Sequence, residues 1–384
     1  MLEHSLMNTY APLSPVLCKG EGVYLYDTDN NKYLDFTSGI GVNSLGYGDK
    51  DWTKAVANQA VTMQHCSNIF VNPITVELSN KLTKLANMDK VFFCNSGAEA
   101  NEGALKLARK YSFDKYGKGR STILSLKQSF HGRTLATLTL NGQEKFHNYF
   151  FPFPDDFDYV EANNIEDFKE KTTDNVCAII MEAVQGEGGV HPLDKEFVQE
   201  VVSICKEKDI LVIFDEVQCG ICRTGKLFGF NNFDVKPDIV TVAKGLGAGL
   251  PIGAVLGNEK VSKVFNPGDH GTTFGGNPVV CSGALVVLDK ICNEKTYKKV
   301  QKNGSIIKEK LIAANLDSVV DVRGMGLIIG IEIKEKSSDI QKKAMEKGLL
   351  VLTAGPNVIR LLPPIVITEE DANKACSILI EVLS

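Results

Sequence analysis

ILVIFDEVQ (210–218) and DIVTVAKGLGAGLP (238–251) are the stretches from which the rest of the chain can be read. In each, an apolar run of strand length ends abruptly in charge: Asp215 and Glu216 in the first, Lys244 in the second, 29 positions after Asp215. Strands that are apolar without alternation have both faces covered, the habit of a mostly parallel sheet flanked by helices. Similar runs at 90–94, 121–126, 176–181 and 254–256, separated by helical stretches, extend the pattern to a large α/β sheet. Ligands in such sheets bind beyond the strands' carboxyl ends, so Asp215 and Lys244 are expected at one edge. The two could form an ordinary ion pair. Lys244 is followed, however, by a glycine-dense loop that lets a large ligand approach the backbone. A desolvated amine there suits Schiff-base chemistry.

NSGAEANE (95–102) follows a strand and opens a helix whose apolar face carries Ala98, Leu105 and Ala108. Ser96 and Glu99 have the spacing of a capping box. Gly97 and Ala98 then become the first helical residues, with free N–H groups that can cradle a phosphate. The same pattern also serves a capped helix with no ligand. Two nucleotide patterns fail on inspection. Gly220 to Lys226 fits GxxxxGK, but Leu227 stands where a P-loop needs Ser or Thr, and the loop after Lys244 has Leu250 in place of the last glycine of GxGxxG.

Composition sets outer limits. The 384 residues exceed the usual size of one domain, and 43% hydrophobic with 23% charged residues is the balance of a globular protein. A net charge of -5 and a pI near 5.8 give no footprint for nucleic acid. The first ten residues, with Glu3 and His4, lack the apolar centre of an export signal, and no run reaches the length of a membrane span. Ten scattered cysteines suit reduced thiols in a cytoplasmic enzyme. Cys219 and Cys222 make a single CxxC with no second pair, so no metal is expected.

The opening segment reads as a hairpin, with alternating runs at 22–26 and 32–36 around the turn-forming DTDNN (27–31). After Pro278 a helical pattern runs to about Leu288, and strands are expected at 326–333, 349–353 and 358–362. The expected organisation is an N-terminal segment (1–45) packing with a small α+β domain (281–384), and a large domain (46–280) between them.

The chain resembles the class III aminotransferases, pyridoxal-phosphate enzymes of fold type I, and within them the acetylornithine aminotransferases most. The likeness runs nearly end to end, through GEGVYLYD (20–27), YLDFTSGIGVNSLG (33–46), NSGAEANE (95–102), SFHGRT (129–134), QGEGGV (185–190), DEVQ (215–218), PDIVTVAKGLGAGLPIGA (237–254), HGTTFGGNP (270–278) and RGMGLIIGIE (323–332). It implies a seven-stranded, mostly parallel sheet and a set of roles. Lys244 carries the cofactor and moves the substrate proton, and Asp215 pairs with the pyridine nitrogen so that the ring accepts electrons. Gly97 and Ala98 hold the phosphate and Phe130 stacks on the ring. Glu216, Val217 and Gln218 complete the cofactor set, with Gln218 near the ring hydroxyl. Thr273, beside Thr272 of the substrate set, reaches the other subunit's phosphate site, which implies a homodimer with shared active sites. Arg133 and Arg360 take substrate carboxylates, and Glu187 gates Arg360.

The implied reaction joins N2-acetylornithine and 2-oxoglutarate, a step of arginine biosynthesis. Ile40 stands where ornithine aminotransferases place tyrosine, whereas Val71, Tyr47 and Asp49 depart from the acetylornithine pattern. Succinylornithine, succinyldiaminopimelate, ornithine and 4-aminobutyrate are alternative donors. A lyase or mutase on the same fold, or a binding protein without catalysis, are the alternative classes.

Overall fold

The computed structural model describes residues 5–384. The start of the expected N-terminal segment, residues 1–4, lies outside the described residues.

Seven strands form the central sheet in the order Lys90–Cys94, Gly253–Gly257, Ile239–Val242, Leu211–Asp215, Val176–Met181, Thr122–Leu126, Phe157–Val160. Gly253–Gly257 alone runs against the others. Every residue of Val176–Met181, Leu211–Asp215 and Ile239–Val242 is buried, which explains why those runs read as continuously apolar. Fully buried side chains such as Ile179, Ile213 and Val240 each contribute about 1.5–3 kcal/mol relative to exposure. Phe157–Val160 is the strand that the apolar runs do not reveal. It is an edge strand whose Asp158 faces solvent, so it alternates instead of running apolar.

Leu17–Glu21, Tyr24–Asp27 and Lys32–Asp35 form an antiparallel sheet, so the expected hairpin gains a strand in front. A second four-stranded sheet is built from Val319–Met325, Ile328–Ile333, Val358–Leu361 and Leu352–Thr353. The single strand expected over 349–353 is divided. Leu349–Leu350 pairs parallel with Lys32–Asp35, and after Val351 the chain joins the other sheet, where Leu352–Thr353 pairs with Val358–Leu361. The helix Pro278–Ile291 starts from an Asn277 cap with proline in its first turn, and it crosses the expected boundary at residue 280. No helix among the described residues is long and apolar enough to cross a membrane.

Candidate active site

A cavity of about 620 Å³ opens at the carboxyl ends of the central strands. Lys244 and Asp215 both border it, together with Gly97, Ala98, Phe130 and Arg133. Glu187, Val217 and Gln218 complete the expected residues on its wall.

Asp215 ends its strand buried, and its carboxylate is already well supplied with donors. Oδ2 accepts from Asn101 Nδ2 at 2.8 Å and from His131 Nδ1 at 2.7 Å, and Oδ1 accepts from the Val217 amide at 3.0 Å. Asn101 is itself fixed by the Thr241 hydroxyl at 2.7 Å. Lys244 follows the adjacent strand and keeps φ at +42°, a left-handed conformation that a β-carbon disfavours. Loss of solvation lowers the pKa of its amine. Glu187 opposes the shift, Arg360 reinforces it, and Asp215 and Glu182 also oppose it.

The helix Gly97–Tyr116 begins at the cavity, where Ser96 Oγ accepts from the Glu99 amide at 3.2 Å. The expected capping box is only half formed, because Glu99 reaches past Ser96 to the Asn95 amide at 2.6 Å. Gly97 and Ala98 thus sit in the first turn, where amides have no partner within the helix. An ideal β-carbon on Gly97 would fall 2.6 Å from Val217, so only glycine lets the helix end come this close. Phe130 sits 5.6 Å from the Phe146 ring, and the exposed Arg133 guanidinium lies over both rings, at 5.5 and 4.5 Å.

Arg360 comes from the C-terminal sheet and meets Glu187 on the cavity wall, Nη1 to Oε1 at 2.6 Å. The same nitrogen contacts Gly186 O at 2.8 Å and Gln218 Oε1 at 3.2 Å. A β-carbon on Gly186 would fall 1.9 Å from Gln218 Oε1, so the glycine admits this contact. Burial pushes the Glu187 carboxyl up, but the charge and hydrogen bond of Arg360 outweigh it and hold the group below the usual carboxylate range. Arg360 Nε is buried without a hydrogen-bond partner among the described residues, so part of the guanidinium fork is not engaged.

Besides Arg360, three of the expected residues do not line this cavity. Glu216 does not line the cavity; its carboxylate accepts the Gly229 and Phe230 amides at 2.7 and 2.9 Å, and burial pushes its pKa up to about 8. Side chains alternate along a strand, so the neighbour of an inward Asp215 turns to the other face. Thr272 and Thr273 line a separate surface cavity of about 360 Å³.

The three unusual positions Val71, Tyr47 and Asp49 are also outside the cavity. The Tyr47 hydroxyl donates to Asp35 at 2.7 Å, and Asp49 caps the helix Lys50–Thr62. Cys219 and Cys222 have different partners: Cys219 Sγ lies 3.2 Å from Val184 O, and Cys222 Sγ lies 3.2 Å from Ile291 O. Three site residues escaped sequence reasoning, namely His131, Asn101 and Glu182. His131 stands within SFHGRT and Asn101 within NSGAEANE, so motif membership was the available signal. Glu182 follows the strand Val176–Met181 and accepts the Phe130 amide at 2.9 Å.

Residues 7–383 match the family described as aminotransferase class-III. The acetylornithine aminotransferase of Caldanaerobacter subterraneus subsp. tengcongensis is 48% identical over 99% of this chain and 97% of its own. That of Haemophilus ducreyi is 47% identical over 99% and 96%. Among solved structures, ornithine aminotransferase from Toxoplasma gondii superposes with a TM-score of 0.95 at 31% identity, covering 98% of this chain and 92% of that one. N-acetylornithine aminotransferase from Stenotrophomonas maltophilia gives 0.85 at 32%, covering 97% and 96%. The chain therefore belongs to the class III aminotransferases, pyridoxal-phosphate-dependent enzymes of fold type I.

The site's own chemistry fits that cofactor. An ionised carboxylate offers about four acceptor positions, and three donors on Asp215 leave one, on Oδ1, for a protonated ring nitrogen. Two first-turn amides suit a phosphate, and the desolvated Lys244 amine suits an aldehyde.

Proposed function

We propose that this enzyme moves the 5-amino group of N2-acetyl-L-ornithine to 2-oxoglutarate, giving N-acetyl-L-glutamate 5-semialdehyde and L-glutamate. The observation that carries the reading is the Arg360–Glu187 pair beside Lys244, because a two-substrate cycle needs a cation that can be offered to one partner and covered for the other. The names of the relatives point the same way.

Bound pyridoxal phosphate supplies an aldehyde and an electron-accepting ring. Lys244 acts as nucleophile and then as the base that carries the substrate proton, roles that its lowered pKa favours. Asp215 keeps a ring nitrogen protonated, and Gly97 and Ala98 hold the phosphate. Phe130 lies against the ring, with Val217 and Gln218 beside it. Arg133, exposed at the cavity, takes the α-carboxylate of the acetylated donor. Arg360 takes a carboxylate of 2-oxoglutarate once Glu187 swings off it, since the fork suits bidentate pairing.

The working unit in this reading is a homodimer in which Thr273 of one subunit reaches the other's phosphate site. Its support is the run of exposed apolar residues Ile69, Phe70, Val71 and Phe274 near the Thr272–Thr273 cavity. The division into residues 1–45, 46–280 and 281–384 belongs to the same proposal. So does a cytoplasmic location, consistent with ten unpaired cysteines.

The deciding measurement is kcat/KM for acetylornithine, ornithine and 4-aminobutyrate with 2-oxoglutarate. Acetylornithine is expected to lead by about ten-fold or more. A higher value for ornithine or 4-aminobutyrate would remove the proposed donor and leave the transamination in place.

A further inference from the structure

Cys222 differs from the other cysteines in its backbone. It holds φ at +72°, and Ile221 before it holds +50°, left-handed conformations that a β-carbon disfavours. The turn is closely held all the same. The Cys222 amide donates to Leu227 O at 3.1 Å, and the Gly225 amide donates to Cys222 O at 3.0 Å. Next in the chain, the buried Arg223 donates from Nη1 to Leu327 O at 3.1 Å and to Pro363 O, and its carbonyl accepts the Leu327 amide at 2.9 Å. A backbone pinned in this way aims the Cys222 side chain at the end of the helix Pro278–Ile291. Its Sγ lies 3.2 Å from Ile291 O and 3.7 Å from Cys292 Sγ, van der Waals contact between two sulfurs. Cys219, its neighbour in the CxxC, points elsewhere, to Val184 O.

We propose that Cys222 and Cys292 form a reversible oxidation site: a hydroperoxide joins them as a disulfide that clamps the loop between Cys219 and Leu227 onto the C-terminal end of the helix Pro278–Ile291.

The sulfurs touch although 70 positions separate them in the chain, and such contact is the starting geometry that a bridge needs. The two thiols are unequal. Cys222 is buried and Cys292 is partly exposed, so a small oxidant reaches Cys292 first. Burial pushes the Cys222 thiol up, Cys292 beside it pushes the same way, and Arg223 only partly offsets them. Cys222 therefore stays a thiol and enters second.

In the first step the Cys292 sulfur attacks one oxygen of the peroxide. The O–O bond breaks, the thiol proton leaves with the departing hydroxide as water, and Cys292 becomes a sulfenic acid. The Cys222 sulfur then attacks the Cys292 sulfur; the S–O bond breaks, and the Cys222 proton leaves with hydroxide as a second water. In sum, two thiols and one hydrogen peroxide give one disulfide and two waters, with two electrons passing from sulfur to oxygen. A dithiol reverses the bond by exchange. The bridge lies outside the cofactor cavity, yet Ile221 packs toward Gly245, where a β-carbon would fall 3.5 Å from its own. The clamp is thus one residue removed from the turn that carries Lys244.

The test uses the pyridoxal-phosphate-loaded enzyme, treated with hydrogen peroxide, blocked with N-ethylmaleimide and digested without reduction. Mass spectrometry should find a peptide pair joined through Cys222 and Cys292, and dithiothreitol should release it. Closing so long a loop should raise Tm by about 5 °C over the reduced enzyme. Cys292→Ser should remove both the joined peptide and the rise, whereas Cys219→Ser should keep both. A bridge between Cys219 and Cys222, a sulfinic acid on Cys292 with Cys222 still free, or a bridged enzyme with unchanged Tm would each overturn the proposal. The peptide map of the unsubstituted protein stands even where a variant fails to fold.

Discussion

The floor of the cavity and its gate handle charge in opposite ways. At the floor, Asp215 is fixed by three donors, and those donors are themselves fixed by Thr241, Asn141 and the backbone. All of them come from the central sheet and the segments immediately around it. At the gate, Arg360 arrives from another sheet, 173 positions from Glu187, and the glutamate keeps about a quarter of its side-chain surface exposed. A carboxylate held by three fixed donors cannot readily change partners, whereas a pair with one solvated member can. The floor is therefore built to hold one orientation, and the gate is built to exchange.

The largest effect expected on this contrast is at Lys244, which belongs to neither set. Lys244→Ala should lower turnover by at least about 10⁴-fold and abolish the visible colour of the purified protein. Residual activity near the parent level would mean that the cavity is not the reactive site.

At the gate, Glu187→Ala should divide the two half-reactions. Amination of 2-oxoglutarate should change little, while the half-reaction with the acetylated donor should slow by about ten-fold, read by single-turnover absorbance. Equal losses would make Glu187 part of the rigid floor. Acid should imitate the variant. The Glu187 pKa is depressed in the folded protein, so its ion pair is complete above the ordinary glutamate value and is lost only as pH falls through the depressed one.

A pH profile of cofactor capture by the cofactor-free protein sharpens the contrast further. Because burial lowers the Lys244 pKa, the neutral amine accumulates as pH rises and should do so before the ordinary lysine value of 10.5. A midpoint at or above that value would contradict a desolvated amine. The smallest effect is Ser96→Ala, which removes one cap from the helix Gly97–Tyr116 and should cost about 1 kcal/mol in denaturant unfolding.

The floor was more legible in the sequence than the gate, for a physical reason. Asp215 and Lys244 terminate apolar strands, and strand ends can be located from hydropathy alone. Gly97 and Ala98 follow from a cap. Glu187 and Arg360 share no local pattern, since their pairing depends on where a second sheet packs, and only resemblance to a family linked them. Resemblance also carried Glu216 into the cofactor set, although side-chain alternation along the strand places it behind the wall. His131 and Asn101 lay within quoted motifs, but their roles come from hydrogen bonds between segments 30 and more positions apart. The edge strand Phe157–Val160 was hidden because half of it is wetted.

One turn of chain near the C-terminus has a mechanical result. Leu350 is paired with Asp35, Leu352 is paired with Arg360, and only Val351 separates the two ladders. Asp35 in turn anchors Thr37 and Ser38, a few residues before Val42 on the cavity wall. The two minor sheets are therefore geared together, and a displacement that carries Arg360 would drag the N-terminal lip of the cavity with it.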